Sequence, residues 1–157
     1  MGRGYRRAVS YKRILVGTDG SEPSLRSVRE AATLAKAFGA ELVVLCVYQT
    51  VDQATLERWK DEAPVEMSWQ YSPTSIAEQS VEKGRRVADE MGVPAKALIA
   101  EGEAGEMLIR TAEQEDVDLL VVGNRGMAGA TRFLLGSVPN KVSHHAPCDV
   151  LIVHTVG

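Results

Sequence analysis

The chain has 157 residues, 45% of them hydrophobic and 25% charged, the proportions of one globular domain with an ordinary core rather than of a disordered chain. Its net charge of −3 is unevenly spread, because Arg3, Arg6, Arg7, Lys12 and Arg13 stand at the start of the chain with no acid among them. The remainder is more acidic than the whole, which argues against a nucleic-acid-binding domain, since phosphate contacts need a basic face. The longest apolar stretch, Leu42–Tyr48, falls far short of a membrane span. Gly17, Thr18, Asp19 and Gly20 interrupt the apolar run that follows the basic start, so no secretory signal is read there. Two cysteines, Cys46 and Cys148, suit a reduced, cytoplasmic protein better than a disulfide framework. Neither nucleic acid nor membrane is an expected partner.

Residues 1–10 read as a disordered basic arm, with contact to phosphate or an anionic membrane as the alternative, ahead of a single domain spanning 11–157. Lys12–Gly17 (KRILVG) is a short apolar strand followed by turn chemistry, in which Ser21 suits a helix cap and Pro23 a first helical turn. Leu25, Val28, Ala31, Ala32, Ala35 and Phe38 then recur every three or four residues, an amphipathic helix that Gly39 stops. Glu41–Tyr48 (ELVVLCVY) is continuously apolar, the pattern of a strand covered on both faces. Gln49–Tyr71 has no clean period and carries Trp59 and Trp69; it reads as a long excursion with a helical turn around Thr55–Asp61. Pro73 opens a second helix with Ile76, Ser80, Val81, Gly84, Val87, Ala88 and Met91 along one side, ended by Gly92. Val93–Ala100 is a third strand, Glu103–Glu115 a third helix with Met107, Leu108 and Ala112 inward, and Val117–Gly123 a fourth strand. Ser137–His145 is a short helix and Asp149–Thr155 a fifth strand. This alternation predicts an α/β fold, a doubly wound five-stranded parallel sheet with helices on both faces.

In such sheets ligands bind outside the carboxyl ends of the strands, where the strand order reverses. Two exits carry polar and glycine-rich segments, Gly17–Ser21 after the first strand and Gly123–Ser137 after the fourth. Glycines let successive backbone N–H groups converge on phosphate oxygens, and Ser137 at a helix start adds a hydroxyl beside free N–H groups. Arg125 and Arg132 are the cations of that loop. Tight turns alone are the alternative use of these glycines. The loop is not a P-loop, since no Gly-Lys-Ser/Thr follows, and GxGxxG is absent after the first strand.

Gly123, Gly126 and the pair Gly136-Ser137 follow the spacing G-x2-G-x9-G-S/T, which resembles the nucleotide-binding branch of the universal stress protein family. KRILVGTDGSEPS is similar to that family's first strand and turn, and LLGSVPNKVSHHAPCDVLIV to its last helix and strand. The resemblance implies an adenine-nucleotide alpha-hydrolase-like fold with a nucleotide held between the first and fourth strand exits. It places Gly17 and Asp19 beside base or ribose, with Thr18 between them as a further nucleotide-binding residue, Val47 against adenine, and Val122 and Gly123 against base and ribose. Gly126, Gly136, Ser137 and Val138 would cradle phosphates. Gly17 stands where some members carry proline, which implies a looser wall. ATP with Mg²⁺ is the ligand the motif implies, for a stress-response sensor or regulator. DLLVVGN, LLGSVP and DVLIVHT also resemble a branch associated with cyclic AMP, which needs no metal, so a protein buffering or sensing that messenger is the alternative.

Two further alternatives are a slow ATPase and a dimeric interaction protein without nucleotide. The residues support binding over catalysis, because no nucleophilic triad or specific water-orienting group stands out and no catalytic residue is assigned. Asp19 serves either as a ligand or as the acceptor that closes its own turn. His144, His145 and Cys148 lack a fourth ligand and adjacent histidines diverge on a helix, so no metal site is assigned. Cys46 reads as inert packing. The apolar strand 149–155, if it lies at an edge, needs another chain to cover it, and antiparallel pairing of two copies would give the symmetric homodimer common in the family.

Overall fold

The computed structural model describes residues 10–49, 54, 57, 58, 72–124 and 136–155. The basic arm up to Val9, both tryptophans and the loop residues Arg125, Gly126 and Arg132 lie outside the described residues. Of the expected helical turn in the excursion, Glu57 and Arg58 are helical, as is the preceding Ala54. The elements are β1 (Arg13–Gly17), α1 (Glu22–Phe38), β2 (Glu41–Tyr48), α2 (Pro73–Glu90), β3 (Ala95–Glu101), α3 (Ala104–Gln114), β4 (Leu119–Gly123), α4 (Ser137–His145) and β5 (Asp149–Val153).

Local chemistry sets most of these boundaries. Ser21 caps α1 through its hydroxyl, which accepts from the Ser24 N–H, and Pro23 sits in the first turn. Gly39 ends α1 at φ 66°, a left-handed conformation that costs glycine little. Ser72 caps α2 in the same way, accepting from Ser75 N at 3.1 Å.

Three strands are shorter than their apolar runs. Val93 N donates to Ala88 O, so it finishes α2, and β3 starts only after Pro94. Val117 N likewise donates to Ala112 O beside Asp116 at φ 52°, which delays β4 to Leu119. β5 stops at Val153, and His154 and Thr155 lie beyond the strand. On α2 the buried stripe runs through Ala77, Ser80, Val81, Gly84 and Ala88, whereas Ile76 is 46% exposed. The helix packs on its small residues, and Ile76 stands one position to the side. On α3, Leu108 and Ala112 are buried as expected while Met107 is half-buried.

The sheet is parallel throughout, in the order β3-β2-β1-β4-β5. Side-chain alternation along each strand feeds two cores. Ile14, Val16, Leu42, Val44 and Val121 pack beneath Val28, Ala31, Ala32 and Ala35 of α1 and Val81 and Ala88 of α2. Leu15, Val43, Leu45, Leu120 and Val122 meet Leu108 and Ala112 of α3 and Val142 of α4 on the other face. The chain leaves β1 for β2 on one side and returns to β1's other side as β4, so the strand order reverses between the exits of β1 and β4.

Gly84 governs how closely α2 approaches this reversal. A Cβ there would stand 2.9 Å from Val44 Cγ1 and 3.3 Å from Thr18 Cγ2, inside ordinary contact distance. Gly84→Val should therefore overpack the helix–sheet contact and lower stability by about 1–3 kcal/mol, read as a lower urea midpoint with an unchanged slope.

Candidate functional site

Between the exits of β1 and β4 lies a cavity of about 160 Å³. Gly17, Thr18, Asp19, Val47, Val122, Gly123 and Val138 all line it, so the structure brings these site residues of the sequence reading together. Gly136 and Ser137 immediately precede Val138 at the start of α4. Ser24, Leu45, Leu108 and Thr155 also form its wall and were not singled out from the sequence.

The β1 exit is held by a compact hydroxyl network. Thr18 N donates to Leu45 O at 2.9 Å, which ties the exits of β1 and β2. The Thr18 and Ser24 hydroxyls are 2.8 Å apart, and Asp19 N donates to Ser24 Oγ at 3.2 Å. Asp19 Oδ1 accepts from Ser21 N at 2.9 Å and from the Ser21 hydroxyl. Asp19 thus closes its own turn and also stands in the cavity wall. Gly20 has φ 82°, and a Cβ there would lie 2.9 Å from Ser80 Oγ, so glycine is needed both for conformation and for space. Gly17 belongs to the paired end of β1, opposite Leu45, and a Cβ on it would press Leu108 Cδ2 at 3.2 Å. Its missing side chain makes room for Leu108, and the looser wall expected of a glycine is not what the paired strand end provides.

The β4 exit is built differently. A Cβ on Gly123 would lie 3.1 Å from Thr155 Cγ2 and 3.2 Å from Ser27 Oγ, so the backbone here is tightly overlaid by α1 and by the segment after β5. Ser27 Oγ is buried with no hydrogen-bond partner among the described residues. Asn124 N donates to Val153 O at 2.8 Å, and Asn124 O accepts from Gly136 N at 3.0 Å. The Asn124 side-chain Oδ1 accepts from Thr155 N at 2.8 Å and Thr155 Oγ1 at 3.0 Å. Gly136 precedes α4 with extended backbone, and among the described residues no side chain caps the helix, so the N–H groups of Ser137 and Val138, ahead of Pro139, are the ones placed to meet an anion. Glu103 caps α3 through Gly105 N and Glu106 N and also accepts from Lys141 Nζ at 2.8 Å, linking α3 to α4.

Asp19 is the only ionised side chain among the described wall residues. Burial alone would raise its pKa, but the hydrogen bonds from Ser21 and Ser24 outweigh that and hold the carboxyl below its ordinary value. Cys46, one strand over, is buried, and burial together with the Asp19 charge pushes its thiol up to about 11, which keeps it unreactive. Among the described residues no group of three or more His, Cys, Asp or Glu is placed to hold a metal ion. No helix among them is long and apolar enough to cross a membrane.

An open doubly wound sheet with a cavity at its switch point defines a broad class of α/β ligand-binding proteins. Residues 10–154 match the universal stress protein family, and the chain belongs to that family. It is 37% identical over 151 residues to a universal stress protein of Mycobacterium tuberculosis, covering 93% of this chain and 98% of that one. It is 34% identical over 146 residues to one of Methanocaldococcus jannaschii, covering 91% of this chain and 82% of that one. A solved universal stress protein in complex with cAMP superposes with a TM-score of 0.71 at 31% identity, over 94% of this chain and 100% of that one.

A depressed Asp19 pKa stabilises the fold above the unfolded value near 3.8, and that contribution is lost as pH falls through the lower folded value. Asp19→Asn should therefore be less stable than the parent at pH 7. The gap between the two melting curves should close below pH 3.8.

Proposed function

We propose that the chain binds an adenine nucleotide in the cleft between the β1 and β4 exits and serves as a stress-response sensor or regulator. The observation that carries this reading is the polarity of one cleft. Asp19 presents an acceptor at its β1 end, the start of α4, uncapped among the described residues, presents donors at its β4 end, and Leu45, Val47, Leu108 and Val122 give an apolar wall between. A carboxylate accepts from ribose hydroxyls or an amino group and repels phosphate. The N-terminus of a helix does the reverse. A ligand with an apolar planar base, donors at one end and an anion at the other suits that polarity.

Arg125, Gly126 and Arg132 complete the phosphate end in this reading. ATP with Mg²⁺ is the first ligand, on the spacing of Gly123, Gly126 and Gly136-Ser137. Magnesium keeps several waters and takes substrate phosphates as ligands, so phosphate oxygens would hold it, and Asp19, at the ribose end of the cleft, is not assigned to it. Cyclic AMP is the second reading, favoured by the similar solved protein in complex with cAMP. Retention is favoured over turnover, because the Oδ1 atom of Asp19 is already engaged by Ser21.

The test is mass spectrometry of nucleotide released from the denatured protein, then titration of the stripped protein with ATP, with and without Mg²⁺, and with cyclic AMP. Binding of one of them is expected, and Asp19→Ala should weaken it about tenfold, the loss of one hydrogen bond to a charged group. Absence of binding to both ligands would overturn the reading.

We further propose that β5, Asp149–Val153, pairs antiparallel with that of a second copy. β5 is the last strand of the sheet on its side, and Val150, Leu151 and Ile152 are only half-buried. Sedimentation at micromolar concentration should give the mass of a dimer, and a monomer mass would refute the pairing.

A further inference from the structure

The polar and apolar walls of the cleft come from different parts of the fold. The hydroxyls and carboxylate of Thr18, Asp19, Ser21 and Ser24 stand in and just after the turn from β1 into α1. Leu45, Val47, Leu108, Val122 and Val138 all belong to the core on the α3–α4 face of the sheet. The apolar slot is therefore the open end of that core, and the side chains that end the core set its size.

Strand alternation lays out a row of side chains at that end. Leu15 faces the α3–α4 core, and Gly17, two residues on, shares its face of β1. Gly17 pairs with Leu45 on β2, while Val16 pairs with Val121 on β4, which brings Val122 level with Gly17. Across the three strands the row reads Leu45, Gly17, Val122, so the middle strand leaves a notch one side chain deep. Leu108 of α3 fills it. Its Cδ2, Cδ1 and Cγ atoms lie 3.2, 3.4 and 3.8 Å from where a Gly17 Cβ would stand, and the residue is 3% exposed.

We propose that Leu108 determines the size of the base that the cleft accepts, standing in from α3 for the side chain that position 17 lacks; the proposal rests on the nucleotide reading above. Gly17 is not one of the glycines with positive φ, so glycine serves here by its size and not by its backbone conformation. Ala104, one turn before Leu108, also lines the cavity and carries only a methyl group. Shortening Leu108 therefore opens the slot above Gly17, because Ala104 is too small to fill the space. Leu108 lines the slot directly, so a base seated there meets its side chain.

The probes are ATP with Mg²⁺, cyclic AMP, and forms of each that carry a propyl group at C2, N6 or C8 of the base. Wild-type protein should bind the propyl form directed at Leu108 about tenfold more weakly than its parent nucleotide. Leu108→Ala should weaken the parent nucleotide and bind that same propyl form about tenfold more tightly than wild type does. A core residue with no part in base size would weaken every probe together, so a gain for one bulky base separates the two roles. Gly17→Ala acts in the opposite sense: it should push Leu108 into the slot and weaken the parent about tenfold. Combining it with Leu108→Val should recover most of that loss, and this pair decides the matter if Leu108→Ala does not fold. The proposal is overturned if wild type binds every propyl form as well as the parent, if folded Leu108→Ala gains on none of them, or if the double variant recovers nothing. Wild-type protein that binds neither ATP nor cyclic AMP would overturn the nucleotide reading itself, and that result is obtained before any variant is made.

Discussion

Everything in this molecule is arranged around β1. Ile14, Leu15 and Val16 have no exposed surface, because β1 is paired on both edges and covered on both faces. Its alternating side chains join both cores, Ile14 and Val16 with α1 and α2, Leu15 with α3 and α4. A strand so enclosed has only its two ends free. At its carboxyl end the chain must turn away to α1, while β4, its neighbour on the other side, turns away to the opposite face. The cleft is the gap left by that divergence, and its position follows from the strand order rather than from any single side chain.

Two kinds of chemistry then furnish the gap. On the β1 side, hydroxyls and one carboxylate satisfy each other in a tight turn, so that Asp19 is held ionised by donors from its own segment. On the β4 side, the backbone does most of the work: a glycine with no room for a side chain, an asparagine joining three elements, and a helix start that no side chain caps among the described residues. The first arrangement offers acceptors and the second offers donors. The half-buried Glu103–Lys141 pair links α3 to α4 but contributes little energy of its own, since solvent-accessible pairs of this kind are worth at most about 1 kcal/mol.

The sequence was most readable where one local pattern decided the outcome. Ser21 with Pro23 and Gly39 bracketed α1, and ELVVLCVY announced a doubly covered strand, because caps and unbroken apolar runs depend on near neighbours. The glycine spacing from Gly123 to Ser137 pointed to the strand exit beside which the cavity lies, for the same reason. Readings failed where two acceptable local choices competed. Ile76 looked more like a core residue than Ala77 does, yet α2 lies close to the sheet and the smaller residue fits. Val93 and Val117 read as strand, yet each donates its N–H back to the preceding helix end.

The contacts that the sequence left unremarked are those that exist only across long separations. Asn124 meets Thr155 and Gly136, Gly123 meets Ser27, and Leu108 closes over Gly17; no spacing rule links such pairs. The order of strands and helices, the two faces of the sheet and the exit that carries the glycines could all be read from the chain, since periodicity and capping are short-range. Which small residue admits a helix, which oxygen anchors the last wall of the cleft, and how its two ends come to be held separately emerged only on folding, because those contacts depend on where the crossovers bring distant segments together.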